Sequence, residues 1–64
     1  MPVVKVEIWE GLDADKKEKI VKGMTRVLED IGIPARATTV ILNETPKANW
    51  GIGGEMAPKV VPNG

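Results

Sequence analysis

The sequence predicts an α+β subunit: a β-α-β unit with parallel strands, a short loop or turn, and a C-terminal hairpin, in one domain spanning residues 1–64. Three observations predict it. Residues 3–9 alternate in hydropathy, residues 20–31 place apolar side chains at helical spacing, and residues 38–44 return to β-branched and apolar types. A whole helix lies between the two strand patterns. Such a connection is long enough for a crossover, which makes the strands parallel and the unit right-handed.

The first strand is read from Val3 to Trp9. Val4, Val6 and Ile8 form one face, and Val3, Lys5, Glu7 and Trp9 form the other. That is the period-two pattern of a half-buried strand. Glu10-Gly11 breaks it, and Asp13 is placed to cap the helix that follows, with Ala14 and Asp15 in its first turn.

In the helix, Ile20, Val21, Met24, Val27, Leu28 and Ile31 fall along one stripe. Asp13–Lys17, Asp15–Lys19 and Glu18–Lys22 are acid-before-base pairs four apart, each worth about 0.2–0.5 kcal/mol on an exposed face. Gly32 stops the helix and Pro34 confirms the stop. Gly23, within the helix, costs roughly 1 kcal/mol relative to alanine, which a close helix–helix or helix–sheet approach would explain.

Thr38 to Glu44 reads as the second strand, and residues 45–49 as a loop or short helical turn. Trp50-Gly51-Ile52-Gly53-Gly54 is a glycine-dense turn, with a hairpin arm expected to end near Val60-Val61. Two strands and one helix are too few to be stable alone. Pairing two units through their strand edges gives a four-stranded sheet with two helices on one face.

Composition points the same way. A chain below roughly 70–80 residues needs a staple, yet this one has no cysteine or histidine for disulfides or zinc. With 42% apolar residues, self-association is the remaining way to bury the surface. Nine basic and nine acidic side chains cancel, and two aromatics make no base-stacking platform, so no nucleic-acid partner is expected. No run is long enough for a membrane span or a signal-peptide core, from which we expect no membrane partner and a cytoplasmic location.

The chemistry available is narrow. Gly51-Ile52-Gly53-Gly54 lacks the Lys-Ser/Thr and the strand-to-helix context of a phosphate loop and reads as a backbone turn. Without His or Cys no catalytic metal is indicated, and without His or Ser no nucleophilic triad. Pro2 remains. If Met1 is removed, Pro2 carries a free secondary amine. An α-amino group titrates near 7.7–8.0, and an apolar pocket lowers that further by disfavouring the charged form. Such a base can take a proton from carbon beside a carbonyl and return it elsewhere. The competing explanation is a proline that merely starts a strand, where its missing N–H does no harm.

Pro2, the strand ending in Glu10-Gly11, the amphipathic helix, Pro34, the second strand and Trp50-Gly51-Ile52-Gly53-Gly54-Glu55 together resemble the 4-oxalocrotonate tautomerase family over nearly the whole chain. The resemblance implies a homohexamer built as a trimer of dimers. It also implies an amino-terminal proline acting as general base and then acid, with no metal and no cofactor. The implied substrates are small unsaturated keto or enol acids. Pro2 carries over as the catalytic residue. Trp50 takes the place of a phenylalanine beside the proline, where its ring would keep the amine dry. Trp9 replaces an aliphatic pocket residue and serves equally well as a packing aromatic at a subunit contact.

Three arginines that the family uses to bind carboxylates and polarise the carbonyl are replaced, by Leu12, Thr39 and Val61. Arg36, just ahead of the second strand, is a candidate replacement charge, with an ordinary loop arginine as its plainer reading. Two functional readings follow. The first is an isomerase acting on an enol or unsaturated keto acid other than the usual dicarboxylate, with Pro2 as base and Trp50, Trp9 and Arg36 around the substrate. The second is a catalytically decayed tautomerase-fold oligomer kept as a structural or binding subunit.

Overall fold

The computed structural model describes residues 2–60, and the expectation placed on Val61 lies outside them. Strand β1 (Val3–Trp9) is followed by helix α1 (Ala14–Asp30) and strand β2 (Thr39–Thr45). A short hairpin of β3 (Gly51–Ile52) and β4 (Glu55–Met56) precedes a single helical turn, α2 (Ala57–Val60). Strands β1 and β2 pair in parallel from Val3↔Thr39 to Trp9↔Thr45, as the crossover requires. β2 begins and ends one residue later than its hydropathy suggests, because a 3-10 turn at Ala35–Ala37 draws Thr38 into its own hydrogen bonding, to Ala35.

The caps follow from local chemistry. The Asp13 carboxylate accepts the Lys16 N–H at 2.9 Å, satisfying one of the free donors at the start of α1. At the other end the Ile33 N–H reaches the Leu28 carbonyl and the Gly32 N–H reaches that of Glu29, both at 3.0 Å. This paired closure needs a left-handed residue, and Gly32 supplies it at φ 97°. With Asp13 acting as cap, Lys17 turns elsewhere: it pairs with Glu44 of β2, across the helix–sheet contact. Of the three helical pairs expected, Glu18–Lys22 forms, at 3.8 Å, and Asp13–Lys17 is replaced by this longer-range bridge.

The hairpin ends earlier than expected. Gly53 and Gly54 both have positive φ (59° and 87°), the pairing that a tight two-residue turn between antiparallel strands requires. The second arm stops at Met56, and residues 57–60 coil into α2 because the Ala57 N–H donates back to the Trp50 carbonyl at 2.7 Å.

Among the described residues there is almost no buried core. Ala57 is the one fully buried apolar residue among those described. The surface, 4807 Å², exceeds the about 4,000 Å² expected for a folded monomer of this mass. The apolar stripe of α1 is wider than two strands can cover: Ile20, Val21 and Leu28 are half-buried, whereas Val27 and Ile31 remain 59% and 71% exposed. On the far side of the sheet Val3 is 55% exposed. Gly23 has open space around it, so the close approach that would explain a glycine there does not occur within one chain.

Candidate active site

The register of the two strands decides which candidate residues can meet. Pro2 sits at the start of the sheet, half-buried, and its carbonyl accepts the Thr39 N–H at 3.1 Å, opening the ladder without any need for an N–H of its own. Arg36 lies on the exposed 3-10 turn leading into Thr39, at this same end. Trp9 and Trp50 lie at the other. Trp9 is seven residue steps along the strand from Pro2, a span of about 23 Å at roughly 3.3 Å per residue. One chain therefore holds the proline and the tryptophans apart.

The tryptophan end is closely built. Trp9 points away from α1, on the face it shares with Thr45. The Glu10 N–H donates to the Thr45 carbonyl at 3.2 Å and fixes the chain as it leaves β1. After β2, Pro46 opens a 3-10 turn (Lys47–Asn49), closed by bonds from the Asn49 N–H to Pro46 (2.8 Å) and from the Trp50 N–H to Lys47 (3.1 Å). These bonds set the Trp50 ring edge-on to Trp9, with centroids 5.9 Å apart and planes at 81°. That is a favoured aromatic geometry, worth about 0.5–1.5 kcal/mol beyond the area it covers. The Lys47 ammonium stands 4.8 Å from the centre of the Trp9 ring.

The Trp9 indole N–H is buried and meets no acceptor among the described residues. A groove of about 540 Å³ runs beside it, lined by Ile8, Trp9, Glu10, Gly11 and Leu12. A second groove, over Val21, Thr25 and Glu29, is walled by α1 alone and has no facing element.

Glu44 anchors the same end from the helix side. Its carboxylate takes the Lys17 ammonium and the Gly11 backbone N–H, and the bond and charge of Lys17 hold its pKa below the ordinary carboxylate value against partial desolvation. The turn after β1 is thereby tied to β2. Gly11 sits at φ 116°, a conformation that side chains resist.

Of the residues that the sequence singled out, the structure brings Trp9 and Trp50 into contact and keeps Pro2 and Arg36 at the opposite end. Lys47 was missed. Read as part of a loop, it carried no periodicity, and the only available signal was a lysine three residues before a tryptophan on a helical turn. Among the described residues no group of three or more His, Cys, Asp or Glu could hold a metal ion. No helix there is long and apolar enough to cross a membrane.

A parallel β-α-β unit with a glycine-turned hairpin and a proline in second position defines a small tautomerase-type subunit. A family profile described as "Tautomerase enzyme" matches residues 2–59. The probable tautomerase K2 of Dickeya dadantii is 40% identical over 57 residues, covering 86% of this chain and 85% of that protein. A 2-hydroxymuconate tautomerase of Pseudomonas putida is 33% identical over 61 residues, covering 94% and 97%. Among solved structures, TomN, a 4-oxalocrotonate tautomerase homologue in the tomaymycin biosynthetic pathway, superposes with a TM-score of 0.85 at 28% identity, covering 97% of this chain and all of that one. The chain belongs to the 4-oxalocrotonate tautomerase family.

Proposed function

We propose that this protein is a cofactor-independent isomerase that moves a proton on an enol or unsaturated keto acid, with the amine of Pro2, freed by loss of Met1, as general base and then acid. Relatives named as tautomerases support the reaction class. The observation that carries the site is the division between the two ends of the sheet: a half-buried proline at one, a tryptophan corner at the other. Either half alone is an incomplete site. The proline lacks a wall to dry its amine, and the tryptophans lack a base.

A second copy supplies what is missing. A two-fold axis normal to the sheet makes the two strands at the junction antiparallel, so the Pro2 end of one protomer meets the Trp9 end of its partner. The same pairing doubles the sheet to four strands with two helices on one face. Further copies on the face carrying Val3 and Ile41 would complete a homohexamer, a trimer of dimers, and cover side chains left exposed here. Within that pocket the Trp50 ring excludes water and lowers the pKa of the Pro2 amine toward neutrality. The free amine removes a proton from the enol oxygen or the carbon chain, and the ammonium it becomes returns one to carbon, which closes the cycle without net change in the protein. With Leu12 and Thr39 in place of guanidinium groups, the usual dicarboxylate lacks its clamps, and turnover of dicarboxylates is weak.

Ketonisation of phenylenolpyruvate, followed by absorbance on protein shown by mass to lack Met1, tests this reading. Pro2→Ala should reduce kcat/KM by about 10²-fold or more, within the usual contribution of a positioned acid–base group. Equal rates for the two proteins, or a natural protein whose mass includes Met1, would refute it. A decayed, purely structural subunit predicts the first of those results.

A further inference from the structure

Among the described residues β1 and β2 pair only with each other, so each strand keeps one unpaired edge. Toward β2, strand β1 turns the backbone of its even positions: the Pro2 carbonyl accepts the Thr39 N–H, and the Glu10 N–H donates to the Thr45 carbonyl. Backbone groups alternate in direction along a strand, so Val3, Lys5, Glu7 and Trp9 turn theirs to the open edge. The same residues carry their side chains on the face away from α1, where Lys5 and Glu7 are exposed. Lys5 lies opposite Ile41, which offers its ammonium no acceptor, and it forms no ion pair among the described residues. The Asn43 amide donates to Glu7 Oε2 at 2.8 Å. That bond steadies the carboxylate and leaves it acceptor sites to spare. The open edge thus presents a cation and an anion two positions apart, neither of them matched by a charge within the chain.

We propose that β1 pairs with β1 of a second copy about a two-fold axis at Val6, and that reciprocal ion pairs between Lys5 and the partner's Glu7 fix this register. A two-fold junction uses the same patch on both copies. Centred on Val6, it sets Lys5 against the partner's Glu7 and Val3 against the partner's Trp9, each twice, and engages the whole of β1. Centred on Lys5 or on Glu7, it sets like charges face to face at the axis and leaves one end of the strand overhanging. The β2 edge offers no equivalent. Its outward groups belong to Val40, Leu42 and Glu44, the strand has no cation, and Glu44 is already held by Lys17. The Val6-centred register covers Val3, 55% exposed in the single chain, with the partner's Trp9 and brings that ring beside Pro2. A pair of surface charges therefore decides which residues complete the site. For that consequence the inference rests on the isomerase reading, but the register itself is measured without it.

The chain has no cysteine, so introduced ones report the register directly. Val6→Cys should form a disulfide-linked dimer on mild oxidation. Opposed residues at a position without ladder bonds stand about 4.5 Å apart between Cα atoms, within the about 4.4–6.8 Å that a disulfide spans. Val4→Cys and Ile8→Cys should link to each other when mixed and not to themselves. Links between positions 4 and 6, or between 6 and 8, mark a slipped register and overturn the proposal, as does the absence of any link. Sedimentation velocity then tests the charges. Lys5→Glu and Glu7→Lys should each raise the dissociation constant of the assembly about tenfold, because both attractions become repulsions. The double exchange should restore assembly, and an equimolar mixture of the two single variants should assemble as mixed pairs. Failure of both rescues overturns the role of the ion pairs. Lys19→Glu, an equal change of charge at an exposed helix position, should assemble as wild type; weakening equal to that of Lys5→Glu overturns that role too. The position-6 link and the charge rescue, in a protein without ketonisation activity, uphold the register and overturn the isomerase reading. Ketonisation by a protein with a slipped link does the reverse.

Discussion

The two ends of the β1–β2 sheet are built on different principles. At the start, Pro2 is placed by the ladder alone: one backbone bond to Thr39 and a neighbouring loop that carries Arg36. At the far end, an ammonium, a 3-10 turn, the Trp50 ring, a glycine hairpin and the buried Ala57 follow one another within a dozen residues of sequence and meet Trp9 from β1. One end presents a reactive group with little around it; the other presents surroundings without a reactive group. On the proposed reading the two ends are halves of one site, which a second copy brings together.

The largest expected effect comes from removing the wall that one end lends the other. Trp50→Ala should lower kcat/KM for phenylenolpyruvate at pH 7 by at least tenfold. The acid limb of the kcat/KM profile should move to higher pH, because a hydrated amine returns toward the ordinary range of about 7.7–8.0. Trp50→Phe, which keeps an apolar ring, should leave the limb in place. Since about 23 Å of strand separates Trp50's partner Trp9 from the proline of the same chain, a shifted limb also demonstrates contact between protomers. A limb that stays where it is in Trp50→Ala breaks the comparison: the two ends do not then serve one site.

A smaller effect concerns stability. Gly23 has nothing within 4 Å of the position a Cβ would take, and its φ is not of the left-handed kind. Gly23→Ala should therefore stabilise α1 by about 0.5–1 kcal/mol, read as a higher urea midpoint, with the dissociation constant of the assembly unchanged. Weakened assembly would instead mean that a partner's backbone packs against this stretch of helix. That outcome would place a subunit contact along Gly23 and Val27 and sharpen how the copies are arranged.

Most of the scaffold was legible because it rests on short-range rules. The alternation of Val3 to Trp9, the Asp13 cap and the Gly32 stop each depend on residues within a few positions of one another, the parallel pairing follows from the length of the crossover, and each stands in the structure. The site was half legible. Pro2 and the Trp50 segment could be singled out by chemistry and by resemblance, whereas the meeting of Lys47 with Trp9 joins positions 38 residues apart through an irregular turn that no periodicity announces. Lys17 shows the same limit. Its i, i+4 acid was the local choice, but Asp13 was already engaged as a cap, and β2 offered Glu44 instead.

That bridge supports the smallest of the effects, one that distinguishes the two ends by pH. The Glu44 pKa is lowered in the folded chain, chiefly by the hydrogen bond from Lys17 and then by its charge, with the Gly11 N–H adding to both. A carboxylate whose folded pKa lies below its unfolded value contributes stability that is fully present above the unfolded pKa and is lost as pH falls through the folded one. Stability should therefore decline as pH drops below the ordinary carboxylate range, and the decline should be shallower in Lys17→Met, where the bond and the charge are both gone. Because Glu44 holds the Gly11 turn beside Trp9, the indole signal of Trp9 should shift over the same acid range in the wild type. The backbone resonances of Pro2 and Thr39, at the end without this bridge, should hold their positions until the chain unfolds. Coincident movement at both ends would show that acid loosens the subunit as a whole and that Glu44 has no local hold on the tryptophan corner.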